Sequence, residues 1–245
     1  LKLSFFGSIK NFMSVLQYLV TDAGYGDRPF TDRQLGHVLA RHNRDISDAG
    51  RYGLVNRALK SGALIRVRRG LYVLGTTKGR QGTELPNIHP FALAQALKSG
   101  SYVSFETALS YHGWIPEAVF VTASVTPDRK TLHCDTTQWG RFEFIPLPTN
   151  PYQFLVGVDR VKVGALAALV AQPLRALMDL VASRKRAWQG MDWIVEGLRI
   201  DKGHLLALPS GAFDVLEPVY QFKAARDFLS LMRANVLGEQ GNGLA

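Results

Sequence analysis

Apolar positions in the first 75 residues recur at helical spacing three times and then switch to alternation. Phe12, Val15, Leu16 and Leu19 make one stripe, which predicts a first helix over 11–21 closed by Gly24 and Gly26. Thr31 stands three residues before Gln34, the spacing of a capping box, with Phe30 and Leu35 placed to staple the first turn. Leu35, Val38 and Leu39 give this second helix its buried face. Ser47 suits the N-cap of a third helix over 47–60, broken by Ser61-Gly62. On a helical wheel Leu54, Val55, Ala58 and Leu59 gather on one side. Ala49, Gly53, Asn56, Arg57 and Lys60 fall opposite them, and Arg51 lies near the apolar sector. In the hairpin over 63–74, Ile65 and Val67 alternate with Arg66 and Arg68. Arg69-Gly70 forms the tip, where Gly70 tolerates positive φ. Three helices and a basic hairpin in this order predict a winged helix-turn-helix, with the third helix as recognition helix and the hairpin as wing.

Gly75 to Thr83 is poor in apolar residues and rich in Gly and Thr, the composition of a linker. The boundary is therefore placed at Leu85, giving domains over 1–85 and 86–245. In the second, helices are predicted over 89–97 and over 104–112, the latter capped by Ser104 and ended by Gly113. Strands are predicted over 119–125 and 141–147, with shorter ones over 152–158 and 161–163 that pair. Pro173 fits the first residue of a helix over 173–183 better than the interior of a longer one. Trp188, Trp193, Ile194 and Leu198, then 213–237, read as amphipathic helices, and 238–245 as a frayed tail. The expected fold class is α+β: an N-terminal winged helix-turn-helix and a mixed α/β second domain.

Charge sharpens the division. Residues 1–85 hold 14 Lys+Arg against 6 Asp+Glu, net +8, which leaves 15 against 14, net +1, for the rest of a total of +9. A positive field concentrated in one third of a chain is the footprint of phosphate binding. Hydrophobic content of 47% excludes wholesale disorder, and the longest apolar run, 165–171, is far too short to span a bilayer. No secretory signal is expected at Leu1–Phe6, and Cys134, alone, makes neither an internal disulfide nor a cysteine metal site. Both features fit a reducing cytoplasm, and DNA binding would add nucleoid association.

Signs of catalysis are sparse. His133-Cys134-Asp135 alternate faces when extended, so a surface loop or strand is expected there. Asp128, Asp135 and Glu143 are the carboxylates open to a nuclease centre, without a lysine at a helpful spacing; phosphate-loop, paired-cysteine and His-Glu-x-x-His motifs are absent. No enzymatic activity, cofactor or metal is expected. His112 reads as a helix-end residue facing the dipole, or as a ligand or partner contact. Arg184-Lys185-Arg186 reads as a helix terminus, or as a second contact for nucleic acid or an acidic partner.

Three stretches carry a family resemblance. They are Gly-Ala-Leu-Ile-Arg-Val-Arg-Arg-Gly-Leu-Tyr-Val-Leu at 62–74, Tyr-Val-Ser-Phe-Glu-Thr-Ala-Leu-Ser-Tyr-His-Gly-Trp at 102–114, and Ala-Gln-Pro-Leu-Arg-Ala-Leu-Met-Asp-Leu at 171–180. In order and spacing they resemble the AbiEi family of abortive-infection antitoxins, from the second helix to Leu180. The resemblance implies a winged-helix domain that binds inverted repeats in its own promoter. It also implies a C-terminal domain needed to neutralise a co-encoded nucleotidyltransferase toxin, by direct contact or otherwise. The DNA candidates it carries over are Tyr52, Asn56, Arg57, Lys60, Arg66, Arg68 and Arg69, and the wheel adds Arg51. Side-chain chemistry agrees: Asn can read adenine and Arg guanine, while Lys60 and the hairpin arginines suit phosphates. The expected partners are double-stranded promoter DNA and the toxin, with no membrane. The alternative is a winged-helix regulator whose second domain senses a ligand or has enzymatic activity.

Overall fold

The computed structural model describes residues 9–42, 47–77, 83–84 and 87–242. It divides into two compact units, one of residues 1–97 with 136–139 and 163–166, the other of 98–135, 140–162 and 167–245. Among the described residues no helix is long and apolar enough to cross a membrane.

The first unit opens with α1 (Ile9–Val20), continued by one π-helical turn, Thr21–Tyr25, in which Gly24 takes φ +82°. Strand β1 (Phe30–Thr31) leads into α2 (Asp32–His42) through the anticipated capping box. The Thr31 amide donates to Gln34 Oε1 at 2.7 Å, and the Gln34 amide donates to Thr31 Oγ1 at 3.2 Å. After 43–46, the rest of the expected polar turn and outside the described residues, comes α3 (Asp48–Lys60). Strands β2 (Leu64–Arg68) and β3 (Leu71–Leu74) follow. They pair antiparallel and β1 adds to β3, giving the order β1-β3-β2. Leu16, Val20, Phe30, Leu35, Val38, Val55, Ala58, Leu64 and Tyr72 belong to one buried cluster, so helix stripes and strand alternation point into the same core.

The expected linker contains a short hairpin. Short strands β4 (Thr76–Thr77) and β5 (Thr83–Glu84) pair antiparallel, and 78–82 between them lies outside the described residues. Helix α4 (Pro90–Leu97) closes the unit with Phe91, Leu93 and Leu97 buried.

The second unit contains β6 (Tyr102–Val103), α5 (Phe105–Tyr111), β7 (Val121–Thr126), β8 (Leu132–Thr136), β9 (Gly140–Pro146), β10 (Val158–Val163) and β11 (Leu166–Ala171). Its six strands run in the order β10-β11-β6-β7-β9-β8. β7 lies parallel to β9, β11 parallel to β6, and β6 antiparallel to β7. Then come α6 (Pro173–Ser183), the π turn Trp193–Gly197, α7 (Lys202–Leu206), α8 (Ser210–Leu216) and α9 (Lys223–Asn242). α6 packs against α5, α8 and α9. The fold is thus mixed α+β.

Two expectations need correction. Residues 152–157 form turns and irregular chain, Val158 already opens β10, and β10 has β11 as its sheet neighbour. The apolar run 165–171, to which the sequence assigned no element, holds the strand β11, with Ala168, Val170 and Ala171 buried. The helices expected over 213–237 are α8 and α9, and between them Tyr220 forms a bridge with Thr149. Finally, α9 continues to Asn242, held in part by Gln240 Nε2 donating to the carbonyls of Leu206 and Leu208, and only 243–245 of the supposed frayed tail lie outside the described residues.

Candidate nucleic-acid interface

Helix α3 has the two faces that its sequence assigns. Ser47, extended at ψ 158°, accepts the Gly50 amide on Oγ at 3.1 Å and so caps the helix. Val55 and Ala58 are buried, with Leu54 and Leu59 packed partly against the same core. Tyr52 is 58% exposed, and Asn56, Arg57 and Lys60 are exposed beside it. The helix stops where Gly62 adopts φ +75° and its amide reaches the Leu59 carbonyl.

The hairpin buries Leu64, Ile65 and Val67 and exposes Arg66, Arg68 and Arg69. Arg66 faces Tyr72 and Arg68 faces Leu71, so the register shifts by one residue at Val67, a bulge that adds local twist. Gly70 carries the turn at φ +78°. Tyr72 is buried, which pushes its hydroxyl above the usual tyrosine range; Asp32 adds to that rise and Arg66 opposes it.

Among the described residues Lys60, Arg66, Arg68 and Arg69 form no ion pair. Exposed, unpaired guanidinium and ammonium groups can accept a phosphate without first breaking an internal bond. Arg51 is placed differently. Its side chain is 21% exposed, with Nη2 3.6 Å from Asp32 and 3.5 Å from Asp48. Sequence reasoning missed Asp32; its signal was an acidic residue at the first position of a well-capped helix.

The two other stretches of the resemblance converge inside the second unit. Arg175 and Asp179, one turn apart on α6, are both fully buried. Asp179 accepts four bonds, from Tyr102 at 3.0 Å, Ser104 at 2.7 Å, Arg175 Nε at 2.8 Å and Tyr220 at 2.8 Å. Arg175 also donates to Tyr102 and to the carbonyls of Gln153, Phe154 and Val156. These bonds explain why 152–157 is not a strand: the carbonyls serve the guanidinium. Gly157 fits the same packing at φ +70°, where a Cβ would come within 3.0 Å of Leu216 and 3.2 Å of Arg175. Burial would lower the Arg175 pKa, but Asp179 and the two tyrosines hold it above its ordinary value. Burial pushes both tyrosine hydroxyls up, and Asp179 pushes them further. Ser104 occupies the N-cap of α5, yet its side chain makes no capping bond because it serves Asp179.

The remaining candidates have structural partners. His112 Nε2 lies 2.9 Å from the Ala171 carbonyl, tying the end of α5 to the end of β11, and Trp114 stacks on His204. Arg184 pairs with Glu106, Arg186 lies over Trp193, and Lys185 is exposed at φ +50°. Asp128 pairs with Lys98, while Glu143 pairs with His133 and Arg141, and Asp135 with Arg141. Cys134 lies on β8. Among the described residues no three His, Cys, Asp or Glu side chains gather as a metal site.

No family model and no curated protein matches this sequence. A solved structure does: the crystal structure of the RV2827C protein from Mycobacterium tuberculosis is similar over 95% of this chain and 79% of that one, with TM-score 0.54 and 16% identity. At that identity the likeness concerns the fold alone.

Proposed function

We propose that this chain is a DNA-binding antitoxin without enzymatic activity: its first unit is a winged helix-turn-helix that represses its own promoter, and its second unit serves to neutralise a co-encoded nucleotidyltransferase toxin. The observation that carries the DNA half is the pairing of an exposed polar helix face, Tyr52, Asn56, Arg57 and Lys60, with a hairpin whose three exposed arginines form no ion pair among the described residues. The order of three helices and a hairpin, joined by the sheet β1-β3-β2, supports the winged-helix reading. The toxin half rests on the resemblance of 102–114 and 171–180 to the AbiEi family.

A labelled duplex carrying the DNA upstream of this gene tests the first half by fluorescence anisotropy across salt concentrations. Binding should weaken steeply with salt, and Arg66→Ala with Arg68→Ala should reduce the slope of log affinity against log salt by about 0.9 per lost phosphate contact. An unchanged slope rejects the hairpin assignment. Asn56→Ala should relax base preference in a binding-site selection, and an unaltered preference removes it from the reading set. For the second half, a nucleotidyltransferase encoded next to this gene should arrest growth when expressed alone and not when expressed with the full chain; arrest in both cases rejects the antitoxin assignment.

A further inference from the structure

Asp32 touches both parts of the proposed DNA face. As the first residue of α2 it donates its backbone amide to the carbonyl of Gly70, the turn residue of the hairpin, at 2.9 Å. Its carboxylate lies 3.6 Å from Arg51 of α3. Arg51 in turn lies back over α2, in space left by Gly36, where a Cβ would stand 2.7 Å from Arg51 Nη1. The guanidinium carbon also sits 5.4 Å from the ring centroid of the exposed Tyr52. Main chain to the hairpin, carboxylate to α3 and cation to the Tyr52 ring therefore form one connected set.

A carboxylate here is an oddity if affinity alone matters. It subtracts positive field from a surface offered to a polyanion. Arg51, half-enclosed and paired twice, is badly disposed to reach a phosphate as well. We propose that Asp32 and Arg51 form a latch that fixes α3 relative to the hairpin tip, so that Arg51 is a positioning residue for DNA recognition and not a phosphate contact. The inference rests on the DNA-binding reading above and departs from it on Arg51.

The two roles predict opposite signs. If Arg51 were a phosphate contact with Asp32 as a bystander, Asp32→Asn would strengthen binding, and Arg51→Ala would lower the salt slope by about 0.9. As a latch, Asp32→Asn weakens binding although it makes the surface more positive. Arg51→Ala weakens binding with an unchanged slope, and the double variant is no weaker than Arg51→Ala alone, because that change already removes the contact with Asp32. The expected loss is about three- to tenfold in affinity for each single variant. Asp32→Glu, which keeps the charge, should retain most of the affinity. Gly36→Ala gives an independent arm: it displaces the Arg51 guanidinium without changing any charge, in a helix that alanine otherwise favours.

The experiment uses the full chain and the upstream duplex, with anisotropy titrations at several salt concentrations and urea midpoints measured in parallel. Weaker binding by Asp32→Asn and Gly36→Ala at wild-type slope, with urea midpoints near wild type, is the expected result. Equal or tighter binding by Asp32→Asn, or a shallower slope for Arg51→Ala, overturns the latch while leaving the DNA reading intact. A wild-type chain that shows no salt-dependent binding to the duplex overturns that reading, and the latch with it.

Discussion

Arginine is used in opposite ways in the two units. Arg175 has no exposed surface and spends its donors on Asp179, Tyr102 and three carbonyls, whereas Arg66, Arg68 and Arg69 are exposed and form no ion pair among the described residues. A buried charge costs several kcal/mol in desolvation, recovered only through a complete set of partners. Completeness fixes geometry and leaves nothing for a ligand. An exposed arginine contributes little to folding and keeps its electrostatic interaction for whatever anion arrives. The stretches 102–114 and 171–180, which carry much of the family resemblance, supply Tyr102, Ser104, Arg175 and Asp179. They are therefore markers of how the second unit is built.

The largest expected effect comes from breaking the buried set. Arg175→Met should cost about 3–5 kcal/mol of stability, because it strands the Asp179 charge. Arg175→Met combined with Asp179→Leu should recover part of that loss, since both desolvation penalties vanish together. Urea midpoints measure both. A single variant that costs less than about 1 kcal/mol would show that the network is not what holds α6, β6 and the 152–157 turns together.

The hairpin arginines should behave in the reverse manner. Replacing Arg66, Arg68 and Arg69 together by Ala should move stability by less than about 0.5 kcal/mol, as expected for exposed residues. The same change should lower the salt slope of DNA binding by about 2 to 3 if all three hold phosphates. A substantial loss of stability with an unchanged slope would make the hairpin a structural element and erase the contrast with Arg175.

How far the sequence revealed these two regions follows from the range of the interactions. The capping box at Thr31 and Gln34, the Ser47 cap, the Arg66–Arg68 alternation and Pro173 at a helix start are local patterns, readable within a few residues. Apart from the i,i+4 pair Arg175–Asp179, the Arg175 network joins residues 19 to 77 positions apart, and no local period encodes it. It did leave a trace: Arg175 and Asp179 sit in a helix whose other buried members, Leu174, Ala176, Leu177, Met178 and Leu180, are apolar, and charges in such a setting must find partners. For the same reason 152–158, rich in aromatic and β-branched residues, reads as a strand until the guanidinium that captures its carbonyls is known. Arg51 is an intermediate case: the wheel places it near the apolar sector, and only the fold brings Asp32 within reach.

The two serines expected to cap helices allow a finer comparison. Ser47→Ala should cost about 1 kcal/mol, the usual loss of an N-cap, and should loosen the start of α3. Ser104→Ala removes no capping bond, only one of four donors to Asp179, so its effect should be suppressed in an Asp179→Leu background. If the two losses simply add, Ser104 acts independently of the network.

The smallest effect concerns pH and separates the regions once more. Tyr102 and Tyr220 have their hydroxyls held above the ordinary tyrosine value of about 10, first by burial and then by Asp179. A group raised in the folded state contributes stability that is complete below its unfolded pKa and is lost as pH climbs toward the folded value, because the unfolded chain releases the proton first. Stability should therefore be unaffected by these groups up to about pH 9, and each should cost about 0.4 kcal/mol at pH 10, rising beyond it. Tyr72 in the first unit is raised in the same direction and adds to the trend. Tyr220→Phe, measured by urea midpoints at pH 8, 9, 10 and 10.5, should flatten the decline relative to the parent chain. The arginines of the hairpin stay charged throughout this range, so the salt slope of DNA binding should not change between pH 7 and 9. A slope that falls over that interval would mean that a titrating group, and not arginine, carries the interaction with the duplex.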